Sequence, residues 1–519
     1  MKTLSLKRRH FLAGSAATIG LGMVGLPTAW AEGKTLKIRN YADIQNLDPA
    51  FNTAQADAVI TDSLLLGLVR MKTGTEWGWE KEAAAEIEQV DPTHVRFKLK
   101  SGLKWSNGYG ALTAEDVKYS FERVANPKVE SPYIDDWATL DHVEVHDELS
   151  GTIVLKEPFA PLWTTTLQGW AGKIVCKAAM EKLPDQKFTT TMPAVSGPYM
   201  IKEWVPKQRL TLVRNPDYSG GETAYYDQIE VYPIEDEKAA EIAFESRDLD
   251  FTDISLSSLK TYKDKGLQDA KITEHPALSY VWFGQNQENP ALKDPKVREA
   301  IQKAIDVNTV LDAAYFGGAT RATGIIAPGL VGHREANLTK FDPDAAREEL
   351  KAAGAEGLKV KLSFLNKAEW VAAAQVIQAN LADVGVDVTL EPLDSGTFWT
   401  IGDEKSGNGW KDLQLLLGRF SMNPDPAWAT AWFTCKQVGV WDWERFCSKD
   451  FDEMHEAALR ELDPAKRGEM YVKMQDIMEK SGSYLFLTHE ATAAIYRNTV
   501  APALKPDGTA VLWRFGAAA

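Results

Sequence analysis

Short runs of β-branched and aromatic residues alternate along the chain with longer stretches whose apolar positions recur three and four apart, the signatures of strands and of amphipathic helices. The runs at 36–41, 95–99, 210–213, 229–232 and 280–283 predict strands. One unit is especially legible. Residues 360–365 read as a strand and 370–384 as a helix, with Val371, Ala374, Gln378, Leu381 and Val384 near one face. Gly385 stops that helix, and 386–390 is the next strand. Two parallel strands joined by a helix predict an α/β body. Helix starts are marked by Asp-Pro pairs, in which Asp caps and Pro takes the first helical position. Asp294-Pro295 precedes Val297, Ile301 and Ile305; Asp342-Pro343 precedes Ala346, Leu350 and Ala353, with Gly354 closing; Asp463-Pro464 precedes Met470, Met474 and Ile477. No internal repeat, low-complexity tract or long linker interrupts the pattern, which predicts one compact, multi-lobed body.

The first 31 residues break this pattern. A basic start with Lys7, Arg8 and Arg9 leads into a Gly/Ala-rich apolar stretch over 12–26 and then the small-x-small site Ala29-Trp30-Ala31. This is the layout of a cleaved secretory signal. Arg8-Arg9 followed by Phe11-Leu12 resembles the twin-arginine export signal, with an ordinary Sec signal as the alternative. About 15 apolar residues are too few to span a bilayer. No Cys follows the small residues, so no lipid anchor is expected. The expected location is the periplasm of a bacterial cell.

Charge narrows the function classes. The 519 residues carry 58 Lys+Arg against 73 Asp+Glu, a net charge of −15. Removal of Lys2, Lys7, Arg8 and Arg9 with the signal takes the charge from −15 to −19. Such a balance argues against gripping nucleic acid or adsorbing to anionic lipid. The 17 Trp are many, and Trp commonly lines ligand sites or interfaces. Of the three Cys, Cys435 and Cys447 sit close together in a Trp-rich stretch of an exported chain, which predicts a disulfide; two reduced structural thiols are the alternative. Cys176 is left over and reads as a small buried hydrophobe. No Gly-x-Ser-x-Gly elbow, phosphate-cradling Gly-x-x-x-x-Gly-Lys or His-Glu-x-x-His is present, so no enzyme is expected. His142, Glu144 and His146 alternate on one strand face and could meet a metal, or form a solvated strand face. No metal or other cofactor is expected.

Several segments, in order, resemble the dipeptide- and oligopeptide-binding proteins of ABC importers, extracellular solute-binding family 5. They are Leu47-Asp48-Pro49; Gly67-Leu68-Val69; Lys104-Trp105-Ser106-Asn107-Gly108; Leu112-Thr113-Ala114-Glu115-Asp116-Val117; Ser120-Phe121-Glu122-Arg123; Ser196-Gly197-Pro198-Tyr199; and Asn215-Pro216-Asp217-Tyr218. Residues 294–306, 341–354 and 379–385 also match. The set runs from about residue 35 to about residue 500. Most of these residues also have a local structural reading: Thr113 with Glu115 and Asp116 caps a helix, and Gly197-Pro198 and Asn215-Pro216 are turn chemistry. The resemblance implies an α/β fold of the type II periplasmic binding protein class, in its large peptide-binding form with an extra subdomain. Two lobes would close on a hinge over an interlobe ligand cleft. With the export signal over 1–31 set aside, it implies a first lobe over 32–283 plus 491–519, and a second lobe over 284–490, with crossings near Gly284-Gln285-Asn286 and His489-Glu490-Ala491. It further implies a monomer that carries a small molecule or short peptide to an inner-membrane ABC permease and its ATPase subunits.

The site reading also follows from the resemblance. In oligopeptide-binding relatives a loop after a strand carries an Asp that pairs with the peptide's α-ammonium. Anchored on Pro424-Asp425-Pro426, that position falls here on Met422, and the preceding Trp position falls on Arg419. Phe420, Ser421 and Asn423 complete the loop. Ser395 takes the place of an upstream Trp in a segment that also holds Trp399. Thr53 and Gln55 fall where relatives touch the peptide backbone. The amine anchor is thus replaced, and the Arg419 fork would suit a carboxylate or phosphate if it faces the solute. The alternatives are that Arg419 pairs with an internal acid such as Asp425, or that Asp425 itself takes over as anchor. Trp428 and Trp432 are four apart on an expected helix, and they either pack in the core or stack on a ligand. The ligand class expected is a peptide or peptide-like solute. An opine-like, carbohydrate or other non-peptide solute, or a metal chelate, is the alternative.

Overall fold

The computed structural model describes residues 33–518, so the signal segment, Arg8-Arg9 and the cleavage site lie outside the described residues. A large mixed sheet dominates. In chain order its main strands are β1 (Thr35–Asn40), β2 (Tyr199–Val205), β3 (Arg209–Arg214), β4 (Gln228–Pro233), β5 (Phe251–Ile254), β6 (Ala270–Gln285), β7 (Lys359–Leu365), β8 (Asp387–Leu393), β9 (Leu415–Ser421) and β10 (Tyr484–Arg497). Their spatial order is β2-β3-β4-β1-β5-β10-β6-β9-β7-β8. A separate antiparallel sheet of four strands orders Ala84–Asp91, His94–Leu99, Ser150–Leu155 and Leu140–Val145. Among the described residues no helix is long and apolar enough to cross a membrane.

The α/β expectation holds where it was most legible. β7 and β8 are parallel, with Leu362 opposite Leu390, and helix Ala368–Asp383 connects them. The buried face of that helix is one residue round from the expected set. Trp370, Ala374, Ile377 and Leu381 are inside, while Gln378 sends its amide to the Val388 carbonyl at 2.7 Å. The Asp-Pro caps form as expected: Asp294, Asp342 and Asp463 accept from the N–H groups of Lys296, Ala345 and Ala465, each at 2.9 Å.

β6 and β10 are the long strands of the sheet and pair antiparallel with each other. At one end β10 pairs with β5, residues 493–496 against 251–254. At the other end β6 pairs with β9, residues 279–285 against 415–421. Between these ends the β6–β10 register breaks, from Pro276 opposite Ala491 to Tyr280 opposite His489. Pro276 has no N–H to donate, and the extra residues that follow it bulge out of the ladder. The apolar cores divide at the same place. One is built from residues 36–251 and 494–515, and two others from residues within 280–487. Gly284-Gln285-Asn286, where a crossing was expected, does not lie at the break. Gly284 and Gln285 sit inside the β6–β9 ladder opposite Leu416 and Leu415. Gly284 is small because Glu444 packs on it: an added Cβ would lie 2.1 Å from Glu444 Oε1.

Candidate ligand-binding site

A cavity of about 760 Å³ opens beside the register break. The bulge residues Ala277, Leu278 and Ser279 form part of its wall. Thr53, Gln55, Asp136 and Gln168 reach it from the first core's side, and Ser421, Met422, Asn423 and Trp428 from the other. The fold fixes each of these segments. Thr53 and Gln55 follow a loop pinned by Asp48, whose buried carboxylate takes Arg123 at 2.9 and 2.6 Å and the Ala50 N–H at 3.1 Å. Met422 donates its backbone N–H to Leu278 at 2.6 Å, and Ser421 meets Ser279 hydroxyl to hydroxyl at 3.1 Å. Of the residues expected at the site, Thr53, Gln55, Ser421, Met422 and Asn423 therefore come together around one space.

Arg419, Phe420, Ser395 and Trp399 lie elsewhere. Arg419 is not on the cavity wall: its Nε donates to Glu490 Oε2 at 2.6 Å and its Nη2 to Ser279 Oγ at 2.8 Å. The fork expected to face an anionic solute is committed to an internal acid, which is Glu490 and not Asp425. Phe420 packs among Trp282, Trp432 and Trp441 with ring centroids 5.1, 5.6 and 6.1 Å away. Ser395 is exposed at the start of helix Ser395–Phe398, and Trp399 packs on Phe398 at 5.1 Å. Asp425 is not a free anchor either. It caps helix Pro426–Ala431 through the Ala427 N–H at 2.8 Å, takes both Arg467 nitrogens at 2.7 Å, and accepts the Thr164 hydroxyl. Trp428 lines the cavity, whereas Trp432 packs against Phe420.

Residues 80–439 match the family described as bacterial extracellular solute-binding proteins, family 5 Middle. That match covers more than half of the chain. The chain belongs to this family. It is also 24% identical over 516 residues to the periplasmic oligopeptide-binding protein OppA of Salmonella typhimurium, covering 94% of this chain and 92% of that one. Two solved structures share the fold. The ABC transporter substrate-binding protein CtaP of Listeria monocytogenes superposes with a TM-score of 0.82 at 20% identity, over 94% of this chain and 100% of that one. The periplasmic binding protein DppA of Helicobacter pylori, in complex with the peptide STSA, gives 0.74 at 22% identity, over 94% and 98%. The two-lobed α/β class expected from the sequence is thereby shown.

The motifs that signalled family 5 are held in the frame rather than at the cavity. Asp116 Oδ2 accepts the Thr113 N–H at 2.9 Å, Asn215 donates to the Gly197 carbonyl at 2.9 Å, and Arg298 reaches the carbonyls of Leu292 and Ser481 at 2.8 and 2.6 Å. His142, Glu144 and His146 are exposed or half-exposed, and among the described residues no group of His, Cys, Asp or Glu is arranged to hold a metal ion. The Cys435–Cys447 disulfide is present, and Cys176 is a buried thiol that burial pushes up to about 11.

Sequence reasoning missed the polar groups that face the cavity. Burial alone would raise the Asp62 carboxyl, but Lys173 at 3.0 Å and Lys505 at 2.7 Å more than offset this and hold it well below the usual range. Asp136 has no such partner: among the described residues nothing pairs with its carboxylate. Burial first, and then the charge of Asp135, pushes it up to about 7. Thr165 Oγ1 and Gln168 Oε1 are buried at the wall without a hydrogen-bond partner among the described residues. No local motif marks these groups; only the meeting of helix Gln55–Leu64 with the segments around 136 and 165–168 makes them a set.

Proposed function

We propose that this family 5 protein is the periplasmic binding component of an ABC importer, capturing a short peptide or peptide-like solute and passing it to an inner-membrane permease with its ATPase subunits. The observation that carries the reading is the placement of the 760 Å³ cavity: its walls come from two separate cores that meet at the break in β6 and β10. Such a space suits a small solute, and the strands that cross at it are the natural hinge. Relatives named as peptide-binding support the solute class. On this reading residues 34–276 and 491–518 form one lobe and 280–489 the other, so the first crossing falls at 277–279. Thr53, Gln55, Ser421, Met422 and Asn423 touch the solute, and Arg419 braces Ser279 from behind the wall. The protein acts as an exported monomer, without catalysis of its own. Mass spectrometry of small molecules released from the protein purified from periplasm tests this. Short peptides are expected; a uniform non-peptide solute would overturn the peptide assignment.

A further inference from the structure

Among the described residues, the charged side chains on the cavity wall leave no cation free and one carboxylate with no partner of any kind. Of the charged side chains on its wall, Lys505 is held by Asp62 at 2.7 Å, and Asp62 is shared with Lys173. Asp507 accepts the Thr509 N–H at 2.9 Å. Asp136 is left with a carboxylate that meets no cation and no hydrogen-bond donor among the described residues. Its turn is rigidly placed. The Asp136 carbonyl accepts the Thr166 hydroxyl at 3.0 Å. The neighbouring Trp137 is buried, stacks on Phe121 at 4.4 Å and donates to the Ala171 carbonyl at 3.0 Å. Tyr133 of the same turn meets Trp170 edge to face at 5.8 Å, and both rings line the cavity. The segment bonded to that turn carries Gln168, whose amide nitrogen donates to Thr164 while its Oε1 stays unpartnered. Carboxylate, amide oxygen and aromatic faces are the three groups that favour an organic cation, and an anion would find no free donor of opposite charge here.

We propose that Asp136 binds a positively charged amine of the solute, with Gln168 Oε1 as a second acceptor and the rings of Tyr133 and Trp170 as the adjoining wall. The amine anchor that Met422 replaces is thereby supplied from the opposite lobe. This rests on the reading of the cavity as the solute site. Asp135 and Tyr133 on its own turn act on Asp136, and Asp62, Lys505 and Asp507 are the other charged groups that line the same space. Because Asp136 sits near 7 when unliganded, an arriving ammonium displaces a proton from part of the population. Affinity for the amine therefore rises as pH rises through that value.

The test uses the full mature chain and an equimolar pool of synthetic peptides of two to four residues, offered with free N-termini or fully N-acetylated. Native mass spectrometry reads retention by wild type and by Asp136→Asn, which keeps the shape and removes the charge. Wild type is expected to retain the free pool roughly tenfold better than the acetylated pool, and Asp136→Asn to lose about that factor. Calorimetry in two buffers of different ionisation enthalpy should show proton release by wild type near neutral pH. Equal retention by wild type and Asp136→Asn would overturn the amine assignment and leave the cavity reading standing. Retention of neither pool by wild type would overturn the peptide reading and this assignment with it. Should Asp136→Asn fail to fold, absence of proton release in wild type would itself overturn the assignment.

Discussion

Arg419 holds its guanidinium 2.6 Å from Glu490 and 2.8 Å from Ser279, so its truncation strands a half-buried acid and loosens one wall of the cavity. Arg419→Ala is expected to lower stability by about 1–2 kcal/mol while changing peptide affinity by less than roughly threefold. Thermal melts and calorimetric titration check both, and a loss of binding far larger than the loss of stability would restore Arg419 as a ligand contact. Asp425→Ala should be more damaging, about 3–5 kcal/mol, because it leaves Arg467 buried without its bidentate partner. Denaturant unfolding reads that value. The cap role of Asp425 was not read from the sequence, although Asp425-Pro426 repeats the signal of Asp294-Pro295, Asp342-Pro343 and Asp463-Pro464. Asp136 was not legible, because its chemistry depends on having no partner, and only the folded arrangement shows that.

The loop closed by Cys435–Cys447 carries two buried acids onto the long strands. Glu444 accepts the Trp282 indole N–H at 2.5 Å, and Asp442 accepts the Tyr484 hydroxyl at 3.0 Å. One oxygen of each carboxyl is buried without a partner among the described residues. Burial raises both, with Glu444 pushed up to about 7 and Asp442 raised further by the charge of Glu444. The folded state thus holds the protonated form. The stability it contributes is full below the unfolded Glu value of about 4.3 and is lost as pH rises through about 7. Glu444→Gln should remove much of that fall, up to about 3 kcal/mol by neutral pH, visible as a flatter dependence of melting temperature on pH. Cys447→Ser should fold and bind with stability lowered by roughly 3 kcal/mol, the scale for a loop of this size. Failure to fold would show that the bond is needed early and would favour Sec export. At this scale the sequence was readable where period and punctuation agree, as in β7, β8 and their helix. It was unreadable along β6: residues 270–278 include Pro276 and several polar positions, so only 280–283 stood out of a 16-residue strand.

Across the whole molecule, the segments that carry the two sides of the cavity also meet directly. Arg460 meets Glu157 at 2.7 Å, the Ala160 N–H donates to Leu459 at 2.8 Å, Thr164 meets Asp425, and Trp77 donates to the Pro328 carbonyl at 3.2 Å. On the proposed lobe boundaries these are contacts between the lobes. The exposed Arg460–Glu157 pair contributes at most about 1 kcal/mol to closure. Fold class and family were readable from ordered motifs because those motifs build the frame; the cavity chemistry was not, because the motifs stand outside it. The central claim is capture by closure, and small-angle X-ray scattering on the mature chain tests it most directly. Titration with the free peptide pool should lower the radius of gyration in a saturable way. A radius unchanged while bound peptide is detected in the same sample would contradict the account.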